Sequence, residues 1–250
     1  MRNQSDDDNK DRSMLDLPLA MKDSIKEETT NILSNITEIG LDALMNEGFL
    51  KEVPFLSTAV SLFKIGNSIR ERHYLKKLAS FVFEFNNGMA DDRTREYYKQ
   101  KIMDDPQNRY KELEYILILI DRYLHADKPS VLAKLYLSYL DECITWNDFT
   151  KYAEVVDRFL PGDCETLLSA NTYKTERDIN TDSIQRLIAL GLVIEAFRTI
   201  PFQEGSETIC IDPPEIREKN ERNFTRTEFG NTLVYILQFP MVVDEFLGGR

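Results

Sequence analysis

From Met21 to Asn46 apolar residues return at near-helical intervals, at Ile25, Ile32, Leu33, Ile36, Leu41 and Leu44. A side chain every three or four residues lands on one face, so the spacing predicts a helix. Gly48 follows where a left-handed residue can stop it. Pro54 suits the first turn of a second helix, since its missing N–H has no intrahelical partner there. That helix is expected to run to Asn87 and Gly88 with a break near Gly66, because glycine costs about 1 kcal/mol against alanine inside a helix. "DRTREYYKQKIM" predicts a third helix. "RYKELEYILILIDRYLHAD" predicts a fourth, whose run Ile116–Ile120 is apolar around the whole circumference and belongs inside a bundle.

Pro129 opens the helix "PSVLAKLYLSYLDEC". Thr145 and Asp148 have the spacing of a capping box, with Asp in place of Glu, ahead of "WNDFTKYAEVVDRFL". "DCETLLSAN" reads as a short helix after Pro161 and Gly162. Beyond Tyr173 the pattern changes. Asn180 or Thr181 can cap a helix that ends near Leu190, and Gly191 gives a sharp exit. "LVIEAF" and "ETICID" are β-prone and separated by Pro201 and Gly205, while polar "PPEIREKNERN" predicts an exposed wing. Thr225 or Thr227 then starts a last helix, stopped by Pro240. Helix, strand, wing, strand and helix in that order outline a winged helix.

The expected fold class is therefore mainly α. A multi-helix N-terminal layer over 15–142 precedes a winged-helix-like α+β C-terminal module over 143–240, with a disordered tail at 1–14 and a second tail at 241–250. The 250 residues, 42% of them hydrophobic, suffice for a large core or for two small ones. The start "MRNQSDDDNKDRS" is polar and acidic, with no apolar core behind a basic flank, so it does not read as a secretory signal, and no apolar run reaches the ~18 residues of a membrane span. Cys143, Cys164 and Cys210 are odd in number and widely spaced, with neither a zinc pattern nor a disulfide framework, which points to reduced thiols and the cytoplasm.

The net charge of −12 repels phosphate backbones, so nucleic acid is disfavoured as a partner for the chain as a whole. Two local exceptions matter. On the candidate recognition helix, Ser183, Gln185 and Arg186 are the polar residues; in the wing region Arg217, Lys219, Arg222 and Arg226 stand against Glu215, Glu218, Glu221 and Glu228. These seven polar and basic residues are the candidate contacts to DNA or to a protein partner. The second exception is "KIGNSIRERHYLKK", with Lys64, Arg70, Arg72, Lys76 and Lys77, placed just after apolar "PFLSTAVSLF". Together they predict either an ordinary amphipathic helix with Phe55, Leu56, Phe63, Phe81, Phe83 and Phe85 turned inward, or a segment over 54–85 lying on an anionic membrane.

Candidate catalytic chemistry is sparse. His73 and His125 fit no metal-binding spacing, and no phosphate loop, dinucleotide fingerprint or serine-nucleophile elbow occurs. Asp91 and Asp92 are read as helix-start acids favoured by the helix dipole, and Asp104 and Asp105 as part of a connection before Pro106, in preference to a cation site. Cys164, near a helix start, lacks a base to activate it. No cofactor, metal or catalytic residue is expected.

"VLAKLYLSYL", "DFTKYAEVVDRF", "SIQRLIALGLVI" and "FTRTEFGNTL" together resemble the layout of bacterial abortive-infection alpha proteins over the C-terminal half. In that family a Leu-rich helical segment precedes an L-x-x-L-G-L-I turn and a later T-x-x-G element. Phe224–Thr227 depart from the family's strand-Leu-Thr step, and a Phe-rich basic stretch replaces its Ser/Ala-rich upstream helices. The resemblance implies a part in bacterial defence against phage and carries over no catalytic residue. The expected function is a non-enzymatic protein-interaction component of a bacterial or phage conflict system; the alternatives are a winged-helix transcription regulator and a peripheral membrane effector.

Overall fold

In the computed structural model the described residues are 16–34, 47–63, 68–89, 91–160, 162–170, 181–202 and 217–238. The two expected tails, most of the second half of the first predicted helix, Lys64, Gly66 and the predicted strand "ETICID" lie outside them. Among the described residues the protein is mainly helical, with one two-stranded antiparallel sheet. They divide into two compact units, one ending at Asp157 and the other spanning Arg158–Gln238.

The first unit opens with α1 (16–23) and α2 (Glu27–Leu33). The expected single helix from Met21 is broken at Ser24–Lys26. Ser24 donates its hydroxyl to the Ala20 carbonyl and accepts the Phe55 N–H at 2.9 Å, while the Lys26 N–H goes to Asn86 Oδ1. These distant partners win over one more intrahelical turn. Next come α3 (Glu47–Glu52), α4 (Pro54–Phe63) and α5 (Ile69–Asn87). Gly48 lies within α3 instead of ending a helix. Pro54 starts α4 as predicted. Ser68 and Glu71 close a reciprocal capping box at the start of α5.

Then follow α6 (Asp92–Met103), α7 (Pro106–Arg122), α8 (Lys128–Leu140) and α9 (Trp146–Arg158). Asp91 accepts the Thr94 N–H and Asp105 the Asn108 N–H, so the adjacent aspartates bracket helix ends. The Thr145–Asp148 box forms as predicted. α5 is the hub, in contact with α2, α4, α7 and α8. A chain of rings runs through the core from Phe55 to Phe81 and Phe85, then to Tyr98 and Tyr136, and on to Phe149. Because Trp146 and Phe149 join Tyr136 and Tyr139 in this cluster, α9 belongs to the first unit. The division thus falls after Asp157, one helix later than the boundary near Cys143. Within the apolar run of α7, Ile116, Leu117, Leu119 and Ile120 are buried but Ile118 faces out, so this helix keeps a solvent side.

The second unit holds α10 (Asp163–Ser169), α11 (Thr181–Ala189), β1 (Val193–Phe202), β2 (Arg217–Arg226) and α12 (Glu228–Gln238). The strands pair antiparallel, with Val193 opposite Arg226 and Phe202 opposite Arg217. The segment expected as a wing is thus largely strand. Backbone pairing with β1 sets that conformation, because the N–H and C=O groups that pair strands belong to polar residues as much as to apolar ones. Gly191 turns left-handed at φ 73° between α11 and β1. Thr227 accepts the Gly230 N–H and donates to the Gly191 carbonyl, which caps α12 and ties it to that turn.

Candidate functional site

On α11, the candidate recognition helix, Ile184 and Leu187 are buried and anchor it to its unit. Ser183 is fully buried as well, which removes it from any external contact. Arg186 reaches back to α10: its Nε and Nη2 donate to the Asp163 carboxylate at 3.1 and 2.7 Å, and Nη2 also to Ser183 Oγ at 3.0 Å. Burial alone would raise the Asp163 carboxyl, but the hydrogen bonds from Arg186, the Leu160 N–H and Ser183 outweigh it and hold the group below the usual carboxylate range. Asp163 in turn lifts Arg186 above its ordinary range. The exposed residues of α11 are then Asp182, Gln185 and Ala189. Of the three predicted contact residues on this helix, Gln185 alone faces solvent freely.

In the hairpin, Arg217, Lys219 and Arg222 occupy positions of β2, and their side chains lie outside the described residues. Arg226 ends the strand opposite Val193 and is half-buried. Of the seven predicted contacts, Ser183 is thus buried, Arg186 is paired with Asp163, Gln185 faces solvent and Arg226 is half-buried, and the side chains of the other three lie outside the described residues.

The basic island is split by the fold. Lys77 is buried, and its ammonium donates to the carbonyls of Asp121 and Tyr123 at 2.8 and 2.7 Å, where it caps the C-terminal end of α7. Burial lowers its pKa from the ordinary lysine value, partly offset by Asp121. Arg70 pairs with the Asp121 carboxylate at 3.0 Å and stays exposed. His73 Nε2 sits 3.2 Å from the Leu124 carbonyl oxygen. Arg72 and Lys76 are half-buried. Phe55, Leu56, Phe81 and Phe85 are core residues and Phe83 is half-buried, while Leu62 is exposed and the side chain of Phe63 lies outside the described residues, so most of the described apolar side of 54–85 is spent inside the protein.

One polar cluster was not singled out from the sequence. Glu112 of α7 is buried and accepts from Tyr139 at 2.7 Å, from Tyr136 at 3.3 Å and from Arg109 one turn earlier. Arg109 also lies over the Tyr139 ring. The signal was present as two i, i+3 pairs, Arg109 with Glu112 and Tyr136 with Tyr139, on helices that pattern alone could not bring together. The carboxylate is taken up by its own partners, and Trp146 and Phe149 pack on the ring of one of them, Tyr139, an arrangement suited to locking α7 to α8.

An open cleft of about 390 Å³ lies between α1 and α6, lined by Lys22, Lys26, Lys99, Asp23, Glu96, Gln100 and Met103. Its cations and acids nearly cancel, and Lys99 already faces Glu96. Among the described residues no group of His, Cys, Asp and Glu could hold a metal ion, and no helix is long and apolar enough to cross a membrane. Cys143 is exposed, its thiol pushed up by partial burial and Asp141. No family model matches the chain, and neither a curated protein nor a solved structure does.

Proposed function

We propose that this chain is a non-enzymatic, protein-binding component of a bacterial or phage conflict system, and that its second unit is a winged-helix-like module turned to protein contact instead of DNA reading. The order of α10, α11, the hairpin and α12, with Gly191 at the turn, supports the winged-helix reading. The conflict-system setting is taken from the resemblance of the C-terminal half to the layout of abortive-infection alpha proteins.

The observation that carries the proposal is the pairing of Arg186 with Asp163. A DNA-reading helix offers cations and polar side chains to the groove; α11 has committed its arginine to a buried carboxylate and presents Asp182 and Gln185 outward. The same unit leaves Ile194 and Tyr235 more than half exposed, side chains of the kind that anchor protein interfaces. Two measurements test the reading. A duplex-DNA gel shift at low salt, where phosphate contacts are strongest, is expected to give no complex. Affinity purification from phage-infected cells is expected to recover a stoichiometric protein that Ile194→Asp or Tyr235→Ala releases. A salt-sensitive DNA shift, or a partner indifferent to both variants, overturns it.

A further inference from the structure

The hairpin of the second unit has two outer edges, and they differ. Among the described residues β1 pairs with one edge of β2, and no strand pairs with the other. An unpaired edge presents a row of N–H and C=O groups, a template for a further strand. β1 includes Pro201, which has no N–H to give to a ladder. β2, Arg217–Arg226, holds neither proline nor glycine, so its edge is the better template.

Charged residues ordinarily protect such an edge, because chance alignments set like charges opposite each other. The order of charges over 217–223, "REKNERN", makes one alignment an exception. In a two-fold antiparallel pair the axis passes through two directly opposed residues, so one residue faces its own copy. With Asn220 on the axis, Glu218 faces Arg222 of the second copy and Lys219 faces Glu221, and the symmetry repeats both pairs. Arg217 then faces Asn223, and no like charges are opposed. Moving the axis by one residue either way sets Lys219 against Lys219 or Glu221 against Glu221. The charges that repel in these neighbouring alignments therefore select the one centred on Asn220. An unrelated peptide can supply the backbone groups but has no cause to carry the complementary order. A second copy of this chain carries it by symmetry.

We propose that the chain self-associates through β2, two hairpins joining edge to edge about Asn220 into a four-stranded antiparallel sheet. The contact is polar and confined to one strand, so the dimer is weak and reversible. It does not rest on the conflict-system reading. Ile194 and Tyr235, the residues that test that reading, lie outside 217–223, so the two can fail separately.

The test is sedimentation equilibrium of the full-length protein over a concentration series. A monomer–dimer equilibrium is expected, weakened by salt as exposed pairs are screened. Glu218→Arg and Arg222→Glu are the informative variants, because their cross-strand neighbours within the hairpin are the uncharged Pro201 and Phe197. Each variant alone sets like charges opposite each other at both symmetry-related positions and should weaken the dimer about tenfold or more. An equimolar mixture of the two opposes arginine to glutamate again, and so does the double variant Glu218→Arg/Arg222→Glu, so both should restore the dimer. Unchanged thermal unfolding checks that the single variants fold. A monomer at every concentration, a dimer indifferent to the single variants, or a loss that neither the mixture nor the double variant reverses overturns the proposal.

Discussion

Arg186 reaches from α11 to α10 and closes a two-pronged contact on Asp163, a carboxylate with no exposed surface. The pairing makes the second unit pH-dependent in a definite direction. Because Asp163 titrates below its ordinary value of about 3.9, its stabilising contribution is fully present above that pH. It is lost as pH falls through the lower folded value. Urea unfolding of the wild type and of Asp163→Asn should therefore differ by a constant amount from neutral pH to about pH 5, and the difference should shrink below about pH 4. A gap independent of pH would mean that the carboxylate charge does not stabilise the fold.

Lys77 gives a second prediction. It is the donor to two carbonyls at the end of α7. Lys77→Met keeps most of the volume and removes both hydrogen bonds, which leaves buried acceptors at a cost of about 1–3 kcal/mol. Lys76→Met, one position earlier and turned toward solvent, should stay within about 0.5 kcal/mol of the wild type. Denaturant titration of the two variants side by side measures the contrast, and equal stabilities would contradict the capping role.

These neighbours show where the amino-acid pattern speaks and where it stops. Helix starts were legible in Pro54, in Thr145 with Asp148 and in Thr227, because capping chemistry is local. The break at Ser24 was not, since its cause is the amide of Phe55, thirty-one residues away. The basic island read as a single charged patch, yet Lys77 is buried and Lys76 is not. One residue along a helix turns a side chain by about 100°, and sequence spacing does not say which neighbour waits there. Likewise Arg186 looked available for DNA, because nothing local marks Asp163 as its partner. Polar residues 217–223 read as a loop, although strand pairing depends on backbone groups that every residue except proline supplies in full.

The Glu112 cluster should behave as a unit. Glu112→Leu would strand the half-buried Arg109 and two tyrosine hydroxyls, a loss of about 3–5 kcal/mol for a broken buried pair. Tyr136→Phe gives up only a long bond of 3.3 Å and should cost about 1 kcal/mol or less. Chemical denaturation of both variants checks the ratio. If Tyr136→Phe were as damaging as Glu112→Leu, the hydroxyl and not the carboxylate would be the organising group.

Gly230 supplies the sharpest packing test. It lies in the first turn of α12, and a Cβ built there runs into the carbonyl oxygen of Leu192, a backbone atom held by the turn that follows Gly191. That same carbonyl accepts the Thr227 N–H at 3.0 Å, so it cannot move away without straining the bond that holds the residue before α12. Gly230→Ala is therefore expected to destabilise the second unit by about 1–3 kcal/mol or more, as overpacking against a fixed neighbour does, despite alanine's better helix propensity. Gly88 is the control. A Cβ at Gly88 meets Leu137 Cδ1 at 2.7 Å, the far end of a side chain that can change rotamer, and the backbone φ of −69° already suits alanine. Gly88→Ala should thus cost less than Gly230→Ala. Hydrogen exchange of the α12 amides locates the effect: faster exchange there in Gly230→Ala, with the first unit unchanged, is the expected result, and unaltered protection would show that the Leu192 carbonyl gives way.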